Sequence, residues 1–292
     1  MKKRKINVKR ILILLIIIAI IIILSIKLNK KQTEAKTNIS ENETPQASSK
    51  ENIINNRRNE ENTLLNQKLQ TGKYLNDNGL PVLMYHFFYD KSKESGKDGN
   101  WIEISNFEEQ MKYLTENDFY FPTWEQVENY IDGKQELPEK SIVITVDDGD
   151  PSFFELAVPV IQKYKIPITS FVITYWYGDR AKDKQEYVSY QSHSYDMHKS
   201  GSKGKGVMLS WDYEKIKDDV LLSSEILGGA NIFCYPFGQY NDLDIKVLKE
   251  NGYKLAFTTK GGRVKKGSSK YELPRVRISG DTSISEFKKK VE

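Results

Sequence analysis

The 292-residue chain has one cysteine, Cys234, and three histidines, His86, His193 and His198. A single cysteine excludes an internal disulfide framework. Acidic residues are missing from the first 28 positions, which hold seven basic ones; taking that +7 from the net charge of +4 leaves −3 for the remaining 264 residues. The basic balance therefore belongs to the N-terminus and gives no case for nucleic-acid binding. The apolar run from Ile11 to Leu28 is broken only by Ser25 and Lys27, and no polar face interrupts it. It lies near the minimum of about 17–20 residues for spanning a bilayer. No Ala-x-Ala-like cleavage site follows it, and no cysteine that a lipid could modify. We expect a basic cytoplasmic tail over residues 1–10 and a single-pass membrane anchor over 11–28. The excess of Lys/Arg ahead of the run would place everything after Leu28 outside the cell. A cleaved signal peptide is the alternative. Residues 29–77 have few aromatics and much Asn, Glu, Lys, Gln and Ser, too little apolar surface to offset ordering, and read as a flexible polar linker. No internal repeat stands out.

From about Leu80 the texture changes, and residues 78–292 read as one domain. "LPVLMYH", "SIVITVDDGD", "PITSFVIT", "EYVSYQSH", "NIFCYPF", "KLAFTT" and "ELPRVRIS" read as strands. Helical stretches lie among them. "SNFEEQMKYL" offers Ser105 and Glu108 as a capping box, "TWEQVENYIDG" offers Thr123 and Gln126, and "NDLDIKVLKENG" starts at Asn241 and stops at Gly252. "PSFFELAVPVIQKY" should kink at Pro159. The alternation predicts an α/β domain built on a parallel sheet, with its chemistry at the carboxyl ends of the strands. Polar residues fall at four such ends: His86, the pair Asp147 and Asp148, His193, and "YPFG".

His193 and His198 are five apart. On a helix their rings would lie roughly 140° apart, and on a strand they would face opposite sides. A turn through Ser194-Tyr195-Asp196 would aim both at one point, suiting a metal site completed by a carboxylate. Spacing alone equally allows two surface histidines in a loop. Adjacent Asp147 and Asp148 diverge in extended chain, so one could hold a metal while the other takes a proton. A solvated turn or a helix cap ahead of Pro151 accounts for them as well.

The set is more specific than its parts. "TVDDGD", "SHSYDMH" and "YPFG" resemble, in order, motifs of the polysaccharide deacetylases (the NodB-homology group, carbohydrate esterase family four) over about residues 80–280. The His-x4-His spacing and the early "MYH" resemble the branch acting on poly-β-1,6-N-acetylglucosamine. The resemblance implies a distorted (β/α)7 barrel and metal-dependent hydrolysis of N-acetyl groups. It assigns Asp147 as general base, His86 as general acid and the backbone N–H of Phe237 to the oxyanion. Asp148, His193 and His198 would hold one divalent ion, with zinc expected and cobalt, nickel, manganese or iron as options. Cys234 stands where the family often has a base-orienting arginine; Arg275 of "LPRVRI" is the expected substitute, against the reading of a surface strand arginine. Trp176 and Phe88 are the expected sugar contacts. The implied partners are an extracellular N-acetylglucosamine polymer and, through residues 11–28, a lipid bilayer; no protein partner is inferred. Peptidoglycan is the alternative polymer, and a non-catalytic glycan-binding protein on the same fold is the reading from another class.

Overall fold

In the computed structural model the first strand, β1 (Val82–Tyr85), pairs in parallel with β4 (Val143–Val146) and with the last strand, β9 (Leu273–Arg277). Between these lie β5 (Ile168–Val172), β6 (Val188–Ser192), β7 (Ile232–Cys234) and β8 (Leu255–Gly261), giving a closed seven-stranded barrel in the order β1-β4-β5-β6-β7-β8-β9. The structure describes residue 56 and residues 59–70, 72–75, 78–94 and 99–292. Every residue of β1, β4 and β5 is buried, as parallel strands covered on both faces require. Two short strands, β2 (Phe87–Tyr89) and β3 (Trp101–Glu103), form a separate parallel pair just after β1.

Helices α1 (Ile104–Glu116) and α2 (Trp124–Ile131) lead into β4. α2 starts as its sequence predicts, with the Thr123–Gln126 capping box closed in both directions. α1 does not: Glu103 caps it, its carboxylate accepting from the Ser105 N–H, so Ser105 lies inside the helix. The helix therefore begins two residues earlier than the Ser105–Glu108 pair suggested. Ahead of Pro159 the chain widens into a π turn over Phe153–Ala157 before α3 (Val158–Tyr164). A proline at 159 has no N–H to return and crowds the carbonyl four residues back, and the wider turn falls there, where the proline disturbs the helical ladder. α4 (Thr174–Lys182), α5 (Tyr213–Ile226) and α6 (Asp242–Glu250) connect β5 to β8 in turn; α7 (Ile284–Val291) follows β9. Asn241 and Asp244 close a second capping box at α6. The β8–β9 pairing slips its register between Phe257 and Gly261, one source of the barrel's irregularity.

Residues Leu65–Glu292 form a compact unit. Leu65 is 4% exposed and belongs to the same apolar cluster as Leu80, Tyr120 and Val127, so the fold begins ahead of residue 78. Residues 59–69 are helical, within the stretch expected to be linker. Leu65 and Leu69 sit one helical turn apart and give that turn an apolar side, which the surrounding Asn and Glu obscure. The expected tail 1–10, the anchor 11–28 and linker residues 29–55 lie outside the described residues. Among the described residues no helix is long and apolar enough to cross a membrane.

Candidate active site

Asp147 and Asp148 follow directly on β4, and the chain turns between them. Asp148 has φ 72° and Gly149 φ 75°, left-handed conformations that throw the two carboxylates to different sides. Only glycine suits position 149, since a Cβ there would come within 3.0 Å of Val172.

Asp147 is saturated. Arg275, on β9, donates from both terminal nitrogens to its two oxygens at 2.7 Å each, the fork geometry of a bidentate pair. Arg275 is itself fixed: Nε donates to the Thr258 carbonyl at 3.0 Å, and one terminal nitrogen to Thr145 Oγ1 at 3.1 Å. The arginine is 1% exposed and Asp147 2%. Burial alone would push the Asp147 carboxyl up, but the guanidinium outweighs it and holds the group well below the usual carboxylate range. Cys234 Sγ lies 3.1 Å from Arg275 and 3.6 Å from Asp147, so the thiol fills the space beside the pair. His86, one residue past β1, brings Nε2 to 3.8 Å from Asp147 Oδ2. Burial lowers the His86 pKa, and the Asp147 carboxylate opposes that.

Asp148 is the opposite case. Its Oδ1 is buried without a hydrogen-bond partner among the described residues, and faces two imidazoles: His193 Nε2 at 3.4 Å and His198 Nε2 at 3.5 Å. One ligand atom from each of the three lies within 4.8 Å of the others. The two rings come together because residues 193–198 turn rather than extend, with Ser194 at φ 72°. His193 Nδ1 lies 2.7 Å from the Cys234 carbonyl, which can only accept. Nδ1 therefore carries the hydrogen and Nε2 is the nitrogen left for a cation. Burial works against charge on His193, while Cys234 and the carboxylates of Asp148 and Asp147 favour it and raise its pKa well above the ordinary value; a cation at Nε2 would take the place of that proton. Burial and His193 together bring His198 down to about 4, leaving its ring neutral as a ligand must be. The residues fit a divalent ion. Asp147, His193 and Cys234 also cluster within 4.8 Å. That group is not a second centre: Arg275 holds both Asp147 oxygens, and burial pushes the Cys234 thiol pKa up.

Residues 134–256 match the family model for polysaccharide deacetylase. The poly-beta-1,6-N-acetyl-D-glucosamine N-deacetylase of Staphylococcus aureus (strain MRSA252) is 28% identical over 214 residues, covering 67% of this chain and 73% of that protein. The protein of the same name from Staphylococcus epidermidis is 28% identical over 201 residues, 62% of this chain and 68% of that one. The solved structure of IcaB from Ammonifex degensii superposes with a TM-score of 0.62 at 26% identity, over 75% of this chain and 97% of that one. The matched stretch holds Asp147, Asp148, His193, His198 and Phe237, so these residues of the site lie inside the region that is similar to the polysaccharide deacetylases.

Around this site, Phe237 has φ 58° and its ring sits 4.3 Å from the His198 ring, at the rim and 40% exposed. Gly238 beside it has φ 69°, and a Cβ there would fall 2.2 Å from Thr259 Oγ1, so "YPFG" ends in the one residue that fits. Trp176 is 48% exposed and its ring lies 6.1 Å from His198. Phe88 is a correction. It is fully buried, packed against Tyr85, Phe107 and Phe153, and cannot touch a glycan. The alternation of β2 turns Phe88 inward while Phe87 and Tyr89 stay half-buried. Sequence reasoning also missed Thr145 and Thr258, which fix Arg275, and Asp219, which grips the histidine loop. A signal for Asp219 existed: it shares a helical stripe with Ile216, Val220 and Ser223, an acid where an apolar residue belongs.

Proposed function

We propose that the domain hydrolyses N-acetyl groups from the N-acetylglucosamine units of an extracellular polysaccharide, poly-β-1,6-N-acetylglucosamine, releasing acetate. The observation that carries this reading is the side-by-side pair: a carboxylate held ionised by Arg275 and faced by His86, next to a carboxylate whose free oxygen meets two imidazoles. The named relatives and their coverage support the choice of polymer. Residues 11–28 would hold the domain on the outer face of the membrane, which the basic start of the chain supports.

A divalent cation on Asp148, His193 and His198, for which zinc suits two imidazoles and a carboxylate, would polarise the acetamide carbonyl and lower the pKa of water from 15.7 toward about 7. Asp147 takes the proton from the attacking water; Arg275 keeps it in the ionised form that a base must have and fixes its direction. The Phe237 N–H would stabilise the negative charge growing on the carbonyl oxygen. As the C–N bond breaks, its electron pair leaves with nitrogen, and His86 supplies the proton that makes a neutral amine. Acetate and a free amino sugar remain, and the amine gains a positive charge near neutral pH. Trp176 offers an apolar face on which a neighbouring sugar can lie.

The test is acetate release from defined β-1,6- and β-1,4-linked N-acetylglucosamine oligomers, with and without chelator. Chelator-sensitive release from the β-1,6 series is expected. Preference for the β-1,4 series would move the assignment to peptidoglycan, and no release from either would leave a glycan-binding protein.

A further inference from the structure

The two imidazoles converge only if residues 194–196 hold their turn, and most of what holds it comes from neighbouring elements. Asp219, on the buried face of α5, accepts from two consecutive backbone N–H groups, Tyr195 to Oδ1 at 2.7 Å and Asp196 to Oδ2 at 2.8 Å. On the other edge of the turn, the first N–H groups of α4 donate outward, Thr174 to the Ser194 carbonyl at 3.1 Å and Tyr175 to the Tyr195 carbonyl at 3.0 Å. One helix start and one side chain thus bind both polar edges of the turn. Ser223, one turn along α5 from Asp219, is fully buried and shares a 2.7 Å hydrogen bond with Ser192, whose Oγ also accepts from the Ser194 N–H at 3.2 Å.

A carboxylate in this position is expensive. Asp219 is 6% exposed among Ile216 and Val220, and no cation pairs with it closely among the described residues; burial raises its pKa to about 6. A helix needing only to pack would carry a leucine there. What Asp219 gives in return is a fixed separation and orientation of two N–H groups lying between His193 and His198. Each amide meets its own carboxylate oxygen; an asparagine there would offer one acceptor atom and present its NH2 donor in place of the other.

We infer that Asp219 is a positioning residue for the metal site: by clamping the Tyr195 and Asp196 amides it sets the distance between His193 Nε2, His198 Nε2 and Asp148. It touches neither substrate nor ion. The inference rests on the metal-dependent reading above and adds to it a residue outside the three recognised motifs. Groups that orient metal ligands from behind are commonly worth about 10–100-fold in affinity.

The experiment is zinc competition against a calibrated chelator on the full chain, with cobalt absorption as a second readout of ligand geometry. Asp219→Asn and Asp219→Ala are compared with wild type, with Asp148→Asn as the ligand control. Asp244→Asn serves as the stability control, since Asp244 is another buried helix carboxylate, one that accepts from the Asn241 N–H at the start of α6. The Asp219 variants are expected to lose about 10–100-fold in zinc affinity and to change the cobalt spectrum. Asp244→Asn should lower Tm while leaving both readouts alone. Should Asp219→Ala fail to fold, Asp219→Asn keeps the volume and one acceptor and still decides. Zinc affinity and cobalt spectrum unchanged in a folded Asp219→Asn would overturn the inference while the metal reading stands. A wild-type chain that binds no zinc would overturn both.

Discussion

Two carboxylates stand next to each other in the chain and live in opposite surroundings. Asp147 has both oxygens filled by one guanidinium and sits between strand ends β1, β7 and β9. Asp148 keeps a buried oxygen with nothing bonded to it among the described residues and looks toward a turn after β6. The first arrangement spends its capacity on holding a charge in place. The second withholds capacity so that something else can be held. A left-handed residue at the strand end makes this division possible, because extended backbone would have sent one of the two carboxylates into the barrel wall.

The comparison breaks most visibly on the Asp148 side. Chelation, Asp148→Asn or His193→Ala should bring acetate release to background, and zinc should restore only the chelated wild type; release that survives chelation would refute the metal half of the site. Next comes Asp147→Asn. It should lower kcat by about 10²–10⁴-fold, the range for removing a general base, with zinc affinity retained. Equal loss of zinc binding in that variant would show that the two carboxylates do not divide the work as described.

Arg275→Met tests what keeps Asp147 ionised. Breaking a buried pair on one side should cost about 3–5 kcal/mol of stability, read from denaturant unfolding. The pH profile sharpens the point. In the wild type the guanidinium holds the Asp147 carboxyl below the usual carboxylate range, so no loss of base is expected near neutral pH. Without the guanidinium, burial dominates and the Asp147 pKa rises. The variant should then be poorest at low pH and recover as pH increases, and a profile parallel to wild type would count against Arg275. The smallest effect on activity concerns the aromatics. Trp176→Ala should raise KM about 2–10-fold with stability unchanged, on the scale of one lost ring contact. Phe88→Ala should do the reverse, costing about 3–5 kcal/mol of stability and leaving KM alone in protein that folds.

Much of this was open to reading in the chain. The capping boxes at Thr123 and Asn241 are local devices whose partners lie three residues apart, so no tertiary contact was needed to see them. Arg275 could be named as a partner for Asp147 because Cys234 left the usual place empty, but proof needed the closed barrel that sets β9 beside β1. Ser105 was read as the cap of α1, and Glu103, the last residue of β3, holds that place instead. Phe88 misled because aromatic type says nothing about which way a short strand presents it. Asp219 went unnoticed because its meaning lies in two amides more than twenty residues away.

The sequence by itself determined the alternation of strands and helices, the placement of acids and imidazoles at strand ends, and the family those motifs resemble. Periodicity and local spacing carry that information, since each depends on residues a few positions apart. Which carboxylate is filled and which is left open, and which helix pins the histidine turn, were decided only when barrel closure brought residues from β1, β4, β6, β7 and β9 within bonding distance. Hydrogen-bond capacity is finite, and only the folded chain shows where it has already been used.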